Sequence, residues 1–220
     1  MSANSSSPPL LFDSRAVALA ASTGGPAALE QVFADFAAVW HSTSGRTKQA
    51  PPFFITQHIS APFTALLGQR LSALSGFDCE VAAAGVRVRG DCIYIAPEDS
   101  HLAVLRREKD DAGIFIRLMQ TPPVHFCRPA ADPMLQSLAG VYGANLLAVI
   151  LTGMGKDGLT GCQHVAAAGG HVWVQDASSS VVWGMPGAVA ASGIDCRIMP
   201  LRTMGAALAV WAAGGTEGAA

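Results

Sequence analysis

Charge is scarce in this 220-residue sequence. Only 14% of the residues are charged, and 14 Lys and Arg face 16 Asp and Glu for a formal net charge of -2. The basic residues form no tract, so nothing in the charge pattern favours nucleic acid as a partner. Cysteine is sparse and unpaired in pattern. Cys79, Cys92, Cys127, Cys162 and Cys196 are odd in number, widely spaced and without a Cys-x-x-Cys pair. That excludes a disulfide framework or zinc knuckle and points to a reducing, cytoplasmic compartment. The leader MSANSSSPPLLFDS lacks a basic start and a long apolar run, so it is not a signal peptide. No run approaches the roughly 18 consecutive apolar residues that a spanning helix needs, so no membrane insertion is expected.

What is present is core-forming material. Half of the residues are hydrophobic, enough for one packed domain without cross-links. No internal repeat or linker interrupts the stretch from Arg15 to Val210. The expected organisation is a frayed leader over 1–14, one domain over 15–211 and a flexible tail over 212–220.

Short apolar runs alternate with helical patterns. Strands are expected over Val17 to Ala20, Pro52 to Thr56, Ile93 to Ala96, Leu146 to Leu151 and Val172 to Val174. Leu29, Val32, Phe33 and Phe36 mark one helical face, and Phe63, Leu66, Leu67, Leu71 and Leu74 mark the next. Leu135, Leu138 and Tyr142 mark a third helix, and Cys162, Val165 and Ala166 a fourth. Two more are expected from Pro186 to Ala191 and from Thr203 to Trp211. Leu102 to Arg107 and Ile114 to Met119 flank the turn Lys109-Asp110-Asp111-Ala112-Gly113 and read as a β-hairpin. Alternation of this kind implies an α/β fold: a doubly wound three-layer sandwich with a mainly parallel sheet and a small hairpin. Functional residues in such folds lie just past the carboxyl ends of strands.

Three polar segments meet that condition. Ala20-Ala21-Ser22-Thr23-Gly24-Gly25-Pro26 follows the first strand, Gln57-His58-Ile59-Ser60 the second, and Thr152-Gly153-Met154-Gly155-Lys156-Asp157-Gly158 the strand from Leu146. They bring a serine, a histidine and an aspartate to one sheet edge. A serine hydroxyl needs a neighbouring base, which a neutral imidazole supplies near pH 7. A carboxylate on the other ring nitrogen fixes the tautomer and stabilises the imidazolium. Plainer readings exist for each residue. Ser22 or Thr23 could cap the helix near Pro26. The glycines could cradle a phosphate at a helix start, although no P-loop Gly-Lys-Ser/Thr follows. His58 could be structural, and Asp157-Gly158 could be a simple turn. The glycines around Met154 would let its N–H turn into the site as an oxyanion donor; otherwise Met154 packs inward from a flexible turn. No cofactor or metal is expected. His101, His125, His164 and His171 lack the i, i+4 spacing of a helical metal site and read as structural or surface residues.

The segments AASTGGPAALEQVF, ITQHISAPFTALLGQRL, GDCIYIAPEDSHLAV, CRPAADPMLQSLAGVYG, LTGMGKDGLTGC and SSSVVWGMPGAVAASG resemble, in order, the motifs of the chemotaxis receptor methylesterases, the CheB catalytic domain. The resemblance runs from about Arg15 to Val210. It implies a serine hydrolase that removes methyl esters from methyl-glutamate on the cytoplasmic region of methyl-accepting chemoreceptors, with deamidation of glutamine as a related activity. It places the triad on Ser22, His58 and Asp157 and the supporting groups on Thr23 and the Met154 main chain. The sequence departs from the family at Ala20 (usually Gly), Ile59-Ser60 (Met-Pro), Cys127 (His), Ala130 (Ser) and Gly187 (Arg). Many members carry an N-terminal receiver domain. Fourteen residues before the first strand leave no room for one, so the expectation is a stand-alone esterase domain or an excised piece. The competing expectation, of a different class, is a catalytically silent binding module of the same fold.

Overall fold

The structure is a computed structural model and describes residues 15–43, 48–108 and 112–215. The leader over 1–14, residues 109–111 of the hairpin turn and the tail residues 216–220 lie outside the described residues.

Seven strands form one sheet in the order β3-β4-β2-β1-β7-β8-β9, and every pairing in it is parallel. They are β1 (Ala16–Ala21), β2 (Phe53–Gln57), β3 (Asp78–Val81), β4 (Cys92–Ile95), β7 (Leu146–Ile150), β8 (His171–Gln175) and β9 (Arg197–Met199). The hairpin strands β5 (His101–Arg107) and β6 (Gly113–Met119) pair antiparallel in a separate small sheet. This is the expected α/β architecture. The central strands are buried on both faces, as parallel strands must be when crossover helices cover them.

The two faces of β1 differ in character. Val17, Leu19 and Ala21 pack with α1 (Gly25–Thr43), α2 (Ala61–Ser75) and α6 (Leu201–Ala212) in an aromatic core around Phe33, Phe36, Phe53 and Trp173. Ala16, Ala18 and Ala20 point the other way, toward α3 (Ala131–Tyr142), α4 (Leu159–Ala167), α5 (Met185–Ala190) and the hairpin. Alternation with period two puts the larger side chains of β1 on one face and alanines on the other.

The structure departs from the sequence reading in a few places. Strands β3 and β9 had no apolar run to announce them. They are edge strands in which Met199 alone is buried and the other residues are exposed or half-buried, so the sheet demands little hydrophobicity there. On α2 the element is as expected, but its face is not. Leu67 and Leu71 are buried, with Thr64, Gly68 and Ser75, while Phe63, Leu66 and Leu74 are exposed. Gly68 lies on the side of the helix that meets β3, where a Cβ would stand at an ordinary contact distance of 3.5 Å from Cys79 Sγ. The helix therefore approaches β3 along its small residues.

Candidate active site

The chain leaves β1 and β2 on one side of the sheet and resumes with β7 on the other, so β1 and β7 flank a topological switch point. Adjacent strands β2, β1 and β7 deliver His58, Ser22 and Asp157 beyond their carboxyl ends. The ladder continues past the strand ends. Ser22 N donates to Thr152 O (3.0 Å) and His58 N donates to Ala21 O (3.2 Å). The polar backbone of the site is thus an extension of the sheet itself.

The turn after β1 is fixed by backbone and amide contacts. Gly25 N donates to Ser22 O at 2.8 Å, and Gln57 Nε2 donates to the same carbonyl at 3.0 Å. Among the described hydrogen bonds, neither the Ser22 nor the Thr23 hydroxyl caps α1, so the capping reading is set aside. Gly153 lies directly behind the nucleophile candidate. A Cβ there would come within 2.9 Å of Ser22 Cβ and 2.4 Å of Met185 Sδ. Met154 is 75% exposed, so the inward-packing reading fails. Its N–H has no acceptor among the described residues, while the neighbouring Gly153 N donates to Val182 O at 3.0 Å.

Asp157 and His58 form the centre of the site. His58 Nε2 donates to Asp157 Oδ2 at 2.8 Å, with the side chains 14% and 2% exposed. Asp157 also accepts the first backbone donors of α3: Ala131 N to Oδ2 at 2.7 Å and Asp132 N to Oδ1 at 3.1 Å. A helix start offers unpaired N–H groups and the positive end of the dipole, so an ionised carboxylate is stabilised there. With the proton on Nε2, Nδ1 is the basic nitrogen. This reverses the ring usage of the familiar triad, where Nδ1 faces the carboxylate. Cys127 Sγ lies 3.7 Å from Nδ1.

A second pair stands beside the first. His125 Nε2 lies 3.1 Å from Asp132 Oδ2, and Asp132 Oδ1 accepts Gly161 N at 2.7 Å. Burial pushes the Asp132 carboxyl up from its ordinary value, with the neighbouring Asp157 charge adding to the rise; the Gly161 N–H and His125 oppose it. His101 is buried and structural, accepting Ala130 N at Nδ1 (3.1 Å) with Nε2 lying 3.2 Å from Pro122 O. Among the described residues no three His, Cys, Asp or Glu side chains are grouped to hold a metal ion.

A family model described as CheB methylesterase matches residues 17–208. The chain belongs to the CheB methylesterase family. It is 46% identical over 185 residues to a protein-glutamate methylesterase/protein-glutamine glutaminase of Paramagnetospirillum magneticum, covering 84% of this chain and 46% of the relative. It is 42% identical over 199 residues to one from Maricaulis maris, covering 90% and 47%. The crystal structure of the Thermotoga maritima CheB methylesterase catalytic domain superposes with a TM-score of 0.79 at 31% identity, covering 90% of this chain and 98% of that one. The chain therefore spans about half the length of the curated relatives it matches.

Within this CheB domain, the groups that sequence reasoning did not single out are those that hold the site rather than line it. Gln57 and Gln175 are buried polar residues ending β2 and β8. Gln175 Oε1 accepts Thr152 N at 2.8 Å and its Nε2 donates to Ser179 O at 2.7 Å. The Thr152 hydroxyl links the turn at Thr23 O (3.0 Å) to Val182 N (3.0 Å). The signal available was a glutamine closing an otherwise apolar strand. A buried amide must find partners, so such a residue marks a loop that needs tying down.

Proposed function

We propose that this chain is a serine esterase acting on methyl-glutamate side chains in the cytoplasmic region of methyl-accepting chemoreceptors, with glutamine deamidation as a second reaction of the same groups. The observation that carries this reading is the His58–Asp157 bond of 2.8 Å at the sheet edge where Ser22 stands. Family membership supports the choice of ester.

Ser22 Oγ attacks the ester carbonyl while Nδ1 of His58 takes its proton. Asp157, held by two backbone N–H groups of α3, keeps the other ring proton on Nε2 and stabilises the imidazolium that forms. The carbonyl oxygen gains charge, and the free Met154 N–H is the donor proposed to stabilise it, with Thr23 supporting from the turn after β1. His58 returns its proton to methoxide and methanol leaves. Water, deprotonated by the same nitrogen, then releases glutamate from Ser22. Glutamine follows the same path with ammonia leaving.

The test is methanol release from methylated receptor membranes of the same cell, with fluorophosphonate labelling of the serine. Labelling and turnover lost together in Ser22→Ala support the reading. A folded Ser22→Ala protein that releases methanol at the parent rate overturns it.

A further inference from the structure

The nitrogen of His58 that faces away from Asp157 has a neighbour of its own. In the structure Nδ1 lies 3.7 Å from Cys127 Sγ, within reach of a long sulfur hydrogen bond. Nε2 is already committed to Asp157, so the ring offers Cys127 an acceptor and no donor. Cys127 is half-buried and reduced. Burial, then the Asp157 charge, pushes its thiol above the ordinary cysteine range. It is therefore a neutral S–H at neutral pH, a weak donor facing a lone pair.

We propose that Cys127 is a positioning residue: its thiol is the resting hydrogen-bond donor to His58 Nδ1 and yields that nitrogen to the Ser22 hydroxyl when substrate binds. The inference rests on His58 being the base. A weak donor suits the role. It holds the imidazole in plane with Asp157 and keeps Nδ1 unprotonated, because protonating Nδ1 would cost the S–H bond its acceptor. It is also easily displaced, since a hydroxyl is the stronger donor.

The charged surroundings of His58 are shared by all variants at 127. Asp157 lies on one ring nitrogen, with the Asp132–His125 pair behind it through the Asp132 N–H. Glu98 Oε2 accepts Ala61 N three residues beyond His58. Arg128, next to Cys127, pairs with Asp99 at 3.6 Å.

The experiment measures the pH–rate profile on a soluble methyl ester and the His58 titration by 15N NMR for wild type, Cys127→Ala and Cys127→Ser. Cys127→Ala should move the acid limb and the NMR midpoint together to higher pH by about half a unit, about three-fold in rate on that limb. Cys127→Ser, which keeps a donor, should restore the midpoint. As the stronger donor, it should also lower kcat at alkaline pH by holding Nδ1 against Ser22. Should Cys127→Ala fail to fold, capping the thiol of the folded wild type with a methylthio group gives the donor-free state, read against Cys127→Ser treated identically. Identical midpoints in the donor-free and donor-bearing forms overturn the proposal. The NMR arm needs no turnover, so a failure of the esterase reading and a failure of this one are told apart.

Discussion

Two histidine–aspartate pairs lie side by side at the start of α3, and they differ in what surrounds each ring. His58–Asp157 is the shorter, at 2.8 Å with side chains 14% and 2% exposed; His125–Asp132 is 3.1 Å with 31% and 9%. Asp157 takes two backbone N–H groups besides its histidine, whereas Asp132 takes one. The other nitrogen of His58 has Cys127 Sγ at 3.7 Å, while His125 sits in a loop with positive φ, next to the fully exposed Phe126. A histidine–carboxylate contact is thus common to both pairs and distinguishes neither. The difference lies in how completely the carboxylate is satisfied and what the free nitrogen can reach.

The largest effect should come from the first pair's client. Ser22→Ala and His58→Ala should each lose on the order of 10⁶-fold in kcat, and the double variant should lose no more, because a triad acts as a unit. Additive losses in a kinetic cycle would break the link between them. Asp157→Asn should cost about 10⁴-fold in turnover. It should also lower stability by about 1–3 kcal/mol, since an amide NH2 must then face His58 or an α3 N–H. Denaturant melts beside the kinetics would show whether both losses occur.

Gly153→Ala should be intermediate. Its Cβ would stand 3.1 Å from Ser22 N as well as against Met185. The displaced nucleophile should cost about 10²-fold in kcat/KM. A variant with parent kinetics would show that the turn moves freely.

The smallest effects belong to the second pair. His125→Ala should change turnover less than about three-fold, as a residue outside the proposed chemistry. Asp132→Asn probes stability instead. Its folded carboxyl lies above the ordinary value of 3.8, so the stability it contributes is full below that value and is lost as pH rises through the folded one. Asparagine does not titrate and can still accept Gly161 N. The variant should therefore gain on wild type as pH climbs above 3.8, by urea melts at stepped pH. A difference independent of pH would mean that burial does not raise the Asp132 carboxyl above its ordinary value. A large loss of turnover in either variant would erase the contrast between the pairs.

The sequence by itself determined the alternation of strands and helices, the parallel sheet and the three segments at its carboxyl edge. Each follows from local rules: apolar runs must be buried, helices must cover both faces, and a polar, glycine-rich segment after an apolar run marks the strand's end. Ser22, His58 and Asp157 were legible because they lie in the polar segments that follow such runs. The edge strands β3 and β9 were not, since an edge leaves half its surface to solvent and imposes no pattern. Nor was the face of α2, which buries Leu67, Gly68 and Leu71 and leaves Phe63, Leu66 and Leu74 outside. Only the tertiary structure decided which nitrogen of His58 meets Asp157, that Asp157 is held by the first N–H groups of α3, and that Cys127 stands at the other nitrogen. These are contacts between residues 26, 69 and 99 apart in the chain. Periodicity says which side of an element is buried. It does not say which atom of a distant element waits there.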